Sequence, residues 1–384
     1  MIDYHARATM FLMRKKATIE NYSVFRPIAS LSRVYMIWEA RLLPKLQNWM
    51  HEHGPPYQFG FVKHGSIGGA NCLLANVIKT WQKSKHPQLW IAQVDLYKAF
   101  DVSSLENIYK NLSDVLNNDE ICYLKFLQSR VQYCLRINSE NLTANCASGL
   151  PQGSQISPIL FLYLLRHILP KLNPKVPDDF LEKLKGAISF VDDHTIFDIC
   201  PNSLTNRIKM FNDDLMEVGQ SISWEKSSFI VLNKKRKGFQ PPEYLGKLKL
   251  QTEVKILGTY FENTHNGISQ LNYIESKVKQ LKEGYYPIYK NSSFKLGSSL
   301  ATTYCTPVLL LTAPLVPLLK KTITHKIVVA INGITKAFCG MPKNCDGQLW
   351  NKLDPIRDPK TKMITFYNKM ANTVMQKTKM TNLL

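Results

Sequence analysis

Two adjacent aspartates interrupt an otherwise apolar stretch in the second half of the chain. Residues 187–199 read AISFVDDHTIFDI, so apolar side chains lead up to Asp192 and Asp193 and resume directly after them. Apolar runs that flank a turn-favouring pair predict two buried strands joined in a hairpin. Carboxylates at such a tip repel each other and resist desolvation, a conflict that a divalent cation resolves. Because an Asp pair at a turn is common by itself, it indicates chemistry only together with a third group elsewhere.

Asp95 is the candidate for that third group, because it lies near the end of another predicted strand. Residues 88–96 read QLWIAQVDL, in which apolar side chains alternate with Gln93 and Asp95. Magnesium prefers hard oxygen ligands and often binds through one or two carboxylates plus substrate phosphates. If Asp95 lies beside the hairpin tip, the three carboxylates would hold two ions roughly 3.5–4 Å apart, as in phosphoryl transfer.

The chain has a surplus of positive charge, which favours a negatively charged binding partner. The 384 residues include 49 Lys and Arg against 29 Asp and Glu, which gives a net charge of +20. This balance is unusual for an enzyme that acts on small molecules, and it favours a polyanionic partner, most often nucleic acid and sometimes an anionic membrane. The length and the 45% hydrophobic content predict a large core divided into two or three subdomains.

The eight cysteines and the apolar segments predict an intracellular protein without a membrane partner. No two cysteines form a CxxC pair, so they are expected to be free thiols in a reducing compartment, the nucleus, the cytoplasm or both. A zinc site at Cys339 and Cys345 with His325 is a weak alternative, since zinc spacings are usually tighter. The N-terminus lacks a signal-peptide pattern. Residues 297–319 carry no charge but include three prolines, which favours a buried helix over a membrane span.

The remaining patterns predict mixed helices and strands up to residue 264 and helices after it. Residues 60–70 are a glycine-rich loop that leads into a helix, and a second glycine-containing loop precedes a helix that begins near Ser157 and Pro158. The predicted elements are a hairpin over 8–31, helices over 33–50, 70–84 and 201–219, mostly helix over 104–145 with a final strand pair, and strands over 88–96, 221–232 and 254–262.

Seven ordered blocks of the sequence resemble the motifs of reverse transcriptases, particularly those of non-LTR (LINE-type) retrotransposons. The resemblance covers about residues 10–265 in the family's order and becomes loose in the region that would be the thumb. The blocks are FRPIASLSRVYMIWEARL, QFGFVKHGSIGGA, QVDLYKAFDV with Asp95, SGLPQGSQISPILFLYLL, FVDD with Asp192 and Asp193, WEKSSF, and VKILGTYF. Two blocks depart from the usual forms, with Val191 where alanine is more common and a single transferable lysine, Lys226, in WEKSSF.

The resemblance implies a role for each matching residue. Asp95, Asp192 and Asp193 would bind two Mg²⁺ ions, with Mn²⁺ as an alternative, and Lys226 would act as a general acid for pyrophosphate. Phe100 would be the steric gate beneath the incoming sugar. The other expected contacts are Gly149, Gln152 and Gly153 on the nucleotide, Lys16 and Arg26 with the weaker candidate Lys63 on the triphosphate, and Leu257 and Gly258 in a turn that positions the primer.

Phe100 separates two classes of polymerase. RNA-directed RNA polymerases resemble this layout but usually carry a second aspartate five residues after the first, where it senses the 2′-hydroxyl. Here that position holds Phe100 and an aspartate follows it at 101, and a shift of one residue changes the face of a strand. DNA synthesis is therefore favoured.

The expected fold is α/β (α+β), a right-hand polymerase with fingers, an antiparallel-sheet palm and a helical thumb. The expected function is RNA-directed DNA synthesis, with an RNA template, a DNA or RNA primer and dNTPs as partners. The alternatives are a catalytically inactive or domesticated nucleic-acid-binding relic, an RNA-directed RNA polymerase and an intron maturase. The predicted boundaries are fingers 1–87, first palm strand 88–106, helical insertion 107–147, palm 148–263 and thumb 264–384. The oligomeric state is left open.

Overall fold

A computed structural model describes most of the chain, which forms two compact units. Unit 1 comprises residues 1–63, 95–173 and 206–223, and unit 2 comprises residues 64–94, 174–205 and 224–384. The described residues are 5–14, 25–137, 140–145, 148–173, 183–234, 238–264, 267–289, 293–342, 344–345, 350, 352–356 and 358–378. The finer division into fingers, palm and thumb stays a prediction.

The helices and strands are distributed along the whole described chain. The strands are β1 (Arg7–Arg14), β2 (Phe25–Ser30), β3 (Gln88–Asp95), β4 (Gln132–Ile137), β5 (Glu140–Asn145), β6 (Gly186–Phe190), β7 (Asp193–Asp198), β8 (Ser228–Asn233), β9 (Tyr244–Leu245), β10 (Leu248–Leu250), β11 (Glu253–Ile256) and β12 (Thr259–Glu262). The helices are α1 (Arg33–Ala40), α2 (Leu43–His53), α3 (Ile67–Lys83), α4 (Leu105–Leu112), α5 (Asn118–Ser129), α6 (Ser157–Leu165), α7 (Pro201–Glu217), α8 (Ile268–Tyr289), α9 (Phe294–Leu300), α10 (Thr306–Leu310), α11 (Lys321–Phe338) and α12 (Pro359–Thr378).

Three predicted elements are divided or shortened in the structure. Residues 33–50 form α1 and α2 instead of one helix, and Pro44 lies in the first turn of α2, where proline is favoured. The strand predicted over 221–232 is shorter, because a turn at 224–226 precedes β8. The strand predicted over 254–262 is the hairpin β11–β12. The other predicted elements are confirmed within a few residues at each end.

Unit 1 contains a four-stranded sheet in the order β2-β1-β4-β5. β1 and β2 form the predicted hairpin, with Thr9 opposite Ser30 and Arg14 opposite Phe25. The sheet covers a small core cluster to which helices α1 and α5 contribute. Tyr35 lies in this cluster, and its hydroxyl donates to the carbonyl of Leu127 at 3.1 Å.

Unit 2 is built on a six-stranded sheet in the order β6-β7-β3-β8-β10-β9. β3 lies between β7 and β8, and it pairs antiparallel with β8 from Gln88 opposite Asn233 to Gln93 opposite Ser228. Its burial pattern is that of a central strand, since Gln93 and Asp95 near its end are half-buried while the residues from 89 to 92 are buried. These two polar side chains share one face of the strand because alternate residues point the same way.

The helices of unit 2 form a second core cluster. α11, α12 and the helical run after residue 294 supply most of its buried residues. That run, Phe294–Leu315, is long and apolar enough to cross a membrane by length and composition, and a third of its most apolar window is buried. Ala301, Cys305 and Leu309 are fully buried in the cluster, so this face of the run packs against the core.

A buried carboxylate in unit 1 holds the loop before α6 against α1. Glu39 is 2% exposed, its Oε1 accepts the hydroxyl of Ser154 at 2.6 Å, and the backbone N–H of Gln155 donates to the same carboxylate. Its Oε2 is buried without a hydrogen-bond partner among the described residues. Burial raises the pKa of Glu39 to about 7, against the hydrogen bonds of Ser154 and Gln155, which lower it.

We predict that Glu39→Gln flattens the pH dependence of stability. Because the folded pKa lies above the unfolded value of 4.5, the folded chain binds more protons between pH 4.5 and about 7. The free energy of unfolding therefore falls as pH rises through this window and levels off above it. The shift corresponds to about 3 kcal/mol of stability lost by the wild type between pH 4.5 and pH 8, a contribution that is absent from the neutral variant.

Urea unfolding of wild type and variant between pH 5 and pH 8 measures this difference. Glu52→Gln, the same change at an exposed position of α2, should keep the wild-type slope. Parallel pH profiles for wild type and Glu39→Gln would show that the Glu39 carboxyl does not titrate in this range.

Candidate active site

The acidic pair lies at the tip of a tight hairpin, as the sequence predicts. β6 and β7 pair antiparallel from Gly186 opposite Phe197 to Phe190 opposite Asp193, which leaves Val191 and Asp192 as the turn. Val191 is buried with φ of 59°, a conformation that is unusual for a β-branched residue. Such strain persists only where the surrounding structure imposes it, and it often marks functional sites. The turn leaves Asp192 and Asp193 half-buried.

The residue after the acidic pair adds no positive charge to it. His194 is fully buried, and burial lowers its pKa to about 3. Its Nδ1 lies 2.9 Å from the hydroxyl oxygen of Ser189 on the neighbouring strand. Since the imidazole is neutral at physiological pH, it does not offset the charge of the two carboxylates.

Asp95 ends β3, and its backbone is fixed by the strand-like segment at 221–223. Its carbonyl accepts the N–H of Ser223 at 2.8 Å, and the N–H of Tyr97 donates to the carbonyl of Ser221 at 2.9 Å. Leu96 and Ile222 form an isolated bridge between these two bonds. The carboxylate is half-buried. In the sheet, β3 is the neighbour of β7, which begins at Asp193.

No metal-binding cluster is evident from side-chain positions alone. In the part of the chain that the structure describes, no group of three or more His, Cys, Asp or Glu side chains is arranged to hold a metal ion. The three-aspartate magnesium site therefore stays a prediction. The same holds for a zinc site at Cys339 and Cys345, both of which are free thiols.

Phe100 lies on a rigid support within unit 1. Its ring stacks on that of Phe161, a fully buried residue of α6, with 5.1 Å between the ring centroids and 23° between the planes. Its carbonyl accepts the N–H of Leu150 at 2.8 Å. The ring itself is half-buried, so one side packs on the core while part of it faces solvent. A residue held in this way can limit the space beside it.

The loop that carries Gly149, Gln152 and Gly153 packs directly on the segment of Phe100. A Cβ at Gly149, which has φ of 78°, would lie 2.5 Å from the carbonyl oxygen of Asp101. A Cβ at Gly153, with φ of 132°, would overlap the carbonyl of Ala29 in β2. The two glycines therefore allow a close backbone approach that other residues would prevent. The structure brings these three predicted residues and Phe100 together in one part of unit 1.

Hydrogen bonds hold the same loop from two sides. The Gln152 carbonyl accepts the N–H of Ala29 at 2.7 Å, and its side-chain amide donates to Asp101 at 2.9 Å. The hydroxyl oxygen of Ser154 accepts the N–H groups of Ile156 and Ser157, both at 3.2 Å, at the start of α6. With the contact from Ser154 to Glu39, these bonds fix the loop between β2, α1 and α6.

The predicted primer-positioning turn is also formed. Leu257 and Gly258 join β11 to β12, with φ of 47° and 83°. The Asn71 side chain in α3 donates to the carbonyls of Ile256 and Leu257 and to the hydroxyl of Thr259, at 3.2, 3.3 and 2.9 Å. A small cavity in unit 2 is lined by Asn71, Leu257 and Asp193, among others, so the turn lies near the acidic hairpin.

The remaining predicted site residues are dispersed on the surface. Arg26 is exposed on β2, Lys63 is exposed on the loop before α3, and Lys226 is exposed in the turn before β8. Lys16 lies outside the described residues. The triphosphate contacts and the acid role of Lys226 stay predictions.

Sequence reasoning missed two residues that position the site. Asn71 is a buried amide among the mainly apolar buried residues of helix α3, and Glu39 is a buried acid in α1. A polar residue in an apolar helical stretch is the signal that could have identified Asn71, because buried polar groups are nearly always hydrogen-bonded. For Glu39, the sequence offers no sign of the loop that contacts it, since Ser154 lies 115 residues away.

Comparison with known proteins agrees with this arrangement. Residues 13–261 match the family described as reverse transcriptase (RNA-dependent DNA polymerase). The chain is 22% identical over 290 residues to a probable RNA-directed DNA polymerase from transposon X-element of Drosophila melanogaster, covering 72% of this chain and 31% of that protein. It is 24% identical over 147 residues to the corresponding protein from transposon BS of the same organism, covering 37% of this chain and 16% of that protein.

Solved structures show the same fold at low identity. Apo telomerase from Candida tropicalis has a TM-score of 0.50 and 13% identity, covering 97% of this chain and 65% of that chain. The RNA-dependent RNA polymerase of a human picobirnavirus has a TM-score of 0.51 and 9% identity, covering 95% of this chain and 61% of that chain. These similarities confirm the predicted right-hand polymerase fold. The family match covers well over half of the chain, which therefore belongs to the reverse transcriptase (RNA-dependent DNA polymerase) family, and its resemblance to the non-LTR, LINE-type members is confirmed.

Proposed function

We propose that the chain is an RNA-directed DNA polymerase that adds deoxynucleotides to the 3′-hydroxyl of a primer. The observation that carries this proposal is the order of the six-stranded sheet. β3, which ends at Asp95, is the neighbour of β7, which begins at Asp193 directly after the strained turn. Family membership supports the same activity. Because the chain covers only 31% and 16% of the two transposon proteins, activities of their other parts are not implied for it.

The donor set fits divalent cations of the hard class. Asp95, Asp192 and Asp193 supply only carboxylate oxygens, which suit Mg²⁺ or Mn²⁺, and the buried His194 beside the pair is neutral at physiological pH. Two bound ions would neutralise charge on the triphosphate and on the attacking hydroxyl. The role of the three aspartates is to hold negatively charged ligand oxygens at the ends of strands β3 and β7 and in the turn between β6 and β7.

Phe100 would select deoxynucleotides by excluding a 2′-hydroxyl. The stacking of its ring on Phe161 prevents it from moving aside, and the fixed loop with Gly149, Gln152 and Gly153 would support the incoming nucleotide. Arg26, Lys63 and Lys16 would bind the triphosphate through charge-assisted hydrogen bonds. The ammonium of Lys226 would give a proton to the leaving pyrophosphate.

The primer and template would be bound by other parts of the chain. The turn at Leu257 and Gly258, held by Asn71, would position the primer end. Helix α8 carries Lys277, Lys279 and Lys282, which suit sequence-independent contacts with the phosphates of an RNA template and a DNA or RNA primer. We place this activity inside the cell, in the nucleus, the cytoplasm or both.

Asp192→Asn should abolish primer extension. Removing one carboxylate from the metal-binding set takes away charge stabilisation of the transition state, and we expect the rate to fall by about 10²–10³-fold or more. The measurement is extension of a DNA primer on an RNA template with Mg²⁺ and dNTPs. Asp213→Asn, the same change at an exposed position of α7, should retain the wild-type rate.

Two outcomes would contradict the proposal, and a measurement of primer–template binding by wild type identifies the first of them. If wild type binds a primer–template duplex but does not extend it with Mg²⁺ or Mn²⁺, the chain is a nucleic-acid-binding relic and the proposal is wrong. If Asp192→Asn extends the primer as fast as wild type does, the aspartate hairpin is not the catalytic centre.

Phe100→Val should relax the choice of sugar. Loss of the ring opens space for a 2′-hydroxyl, so we expect the preference for dNTPs over rNTPs to fall by about 10–100-fold, mainly through faster use of rNTPs. Single-nucleotide addition with dATP and ATP measures the ratio of kcat/KM values. Phe100→Tyr keeps the ring and should keep the preference, and Phe126→Val on the exposed face of α5 is the matched control. Efficient use of rNTPs by wild type would contradict the gate.

A further inference from the structure

A groove on the sheet of unit 2 is not used by the proposed chemistry, apart from Lys226 at its rim. Its volume is about 560 Å³, within the range of roughly 300–1,000 Å³ that is typical of ligand-binding pockets. It lies between the turn before β8, the strands β9 and β10, and β11. Its lining residues are Gln93, Trp224, Glu225, Lys226, Ser227, Ser228, Tyr244, Lys247, Lys249, Gln251, Glu253, Val254 and Lys255.

The floor of the groove is one row of side chains across four strands. Gln93 of β3 lies opposite Ser228 of β8, Ser228 lies opposite Lys249 of β10, and Lys249 lies opposite Tyr244 of β9. Directly opposed residues of neighbouring strands share a face of the sheet, and all four line the groove. Strand register therefore fixes an amide, a hydroxyl, an ammonium and a phenol ring in a line.

The groove has a surplus of positive charge. Its four lysines, at 226, 247, 249 and 255, face two glutamates, at 225 and 253. The ammonium of Lys247 lies over the ring of Trp224 and that of Lys255 over the ring of Tyr273, but all four lysines are exposed. They come from separate segments, the turn before β8, the start of β10 and β11, and so they suit several phosphates in succession better than one anion.

Two aromatic rings accompany the lysines. Trp224 is half-buried, and the Lys247 ammonium lies 5.3 Å from the centroid of its ring. Tyr244 is 53% exposed on the short edge strand β9. Exposed rings between lysines are the combination that binds single-stranded nucleic acid, because bases stack on the rings while phosphates contact the cations.

We propose that this groove binds a short single-stranded stretch of nucleic acid, with bases stacked on Trp224 and Tyr244 and phosphates on Lys247, Lys249 and Lys255. A duplex is a poorer ligand, because its bases are already stacked on each other and leave no face for the rings. The proposal goes beyond the polymerase activity, since this binding requires neither nucleotide, metal ion nor primer end.

The test is the binding of fluorescent 12-residue oligo(U) and oligo(dT) to the full chain, measured by fluorescence anisotropy. EDTA removes divalent ions, and a saturating unlabelled primer–template duplex occupies other nucleic-acid sites. Trp224→Ala and Tyr244→Ala should each raise Kd by about 10-fold through lost stacking. Trp224→Phe, which keeps an aromatic ring, should stay near wild type.

Charge is tested separately through the salt dependence. Lys249→Gln should weaken binding and should reduce the slope of log Kd against log salt concentration by about 0.7 for the one lost phosphate contact. Lys209→Gln, the same change at an exposed position of α7 in unit 1, should leave Kd and the slope unchanged. Comparison of oligo(U) with oligo(dT) in every variant shows whether the groove binds RNA, DNA or both. Weaker binding of either oligonucleotide by the variants supports the proposed site.

Two results would overturn the proposal. In the first, the aromatic and Lys249 variants bind both oligonucleotides as wild type does. In the second, UMP displaces the oligonucleotide at a similar nucleotide concentration, which would identify a mononucleotide pocket.

If a variant fails to fold, its binding measurement is replaced by photocross-linking of 5-iodouridine-labelled oligo(U) to the wild-type chain. Cross-links at Trp224 or Tyr244 would support the groove, and cross-links confined to other peptides would contradict it.

Discussion

The position of β3 in the middle of its sheet is the constraint on which the functional features of unit 2 depend. The strand is hydrogen-bonded on both sides, between β7 and β8, and its pairing with β8 runs from Gln88 opposite Asn233 to Gln93 opposite Ser228. A shift of one residue would turn every side chain to the opposite face. The register therefore fixes the face on which Gln93 and Asp95 lie. Together with the pairings of β8, β10 and β9, it also places Gln93 in the row of side chains that ends at Tyr244. Core packing thus determines the direction of the polar groups.

In unit 1, close backbone contacts have the corresponding role. The loop before α6 lies so near to β2 and to the segment of Phe100 that side chains at Gly149 and Gly153 would overlap carbonyl groups. The loop therefore cannot slide without breaking its hydrogen bonds with Ala29, Phe100 and Glu39. Steric selection of the sugar requires rigid support of this kind, because a ring that can move aside does not exclude a 2′-hydroxyl. The stacking of Phe100 on Phe161 and the fixed loop belong to one packing arrangement.

Charge is divided between the interior and the surface. Burial lowers the pKa of His194 to about 3 and raises that of Glu39 to about 7, so both groups favour their neutral forms. Among the residues that the structure describes, the groove lysines Lys249 and Lys255 are exposed. Desolvation opposes buried charge, but hydrogen bonds from Ser269 outweigh it at the buried Glu262 and lower the pKa of that carboxyl. Exposed lysines suit contact with a polyanion.

Local sequence patterns were enough to predict the acidic hairpin and the glycine-containing loop before α6. The family resemblance added the roles of Phe100 and of the turn at Leu257 and Gly258, a turn that alternation alone places inside one continuous strand. Each depends on local patterns, such as alternation, turn preferences and motif order, which adjacent residues carry. Contacts between distant segments are visible in the fold alone. Asn71 holds that turn, Glu39 contacts Ser154, and one row contains Gln93, Ser228, Lys249 and Tyr244. These groups are far apart along the chain, and no local propensity encodes their contact. They meet because strand register and core packing, within each unit, bring together elements that are distant in sequence.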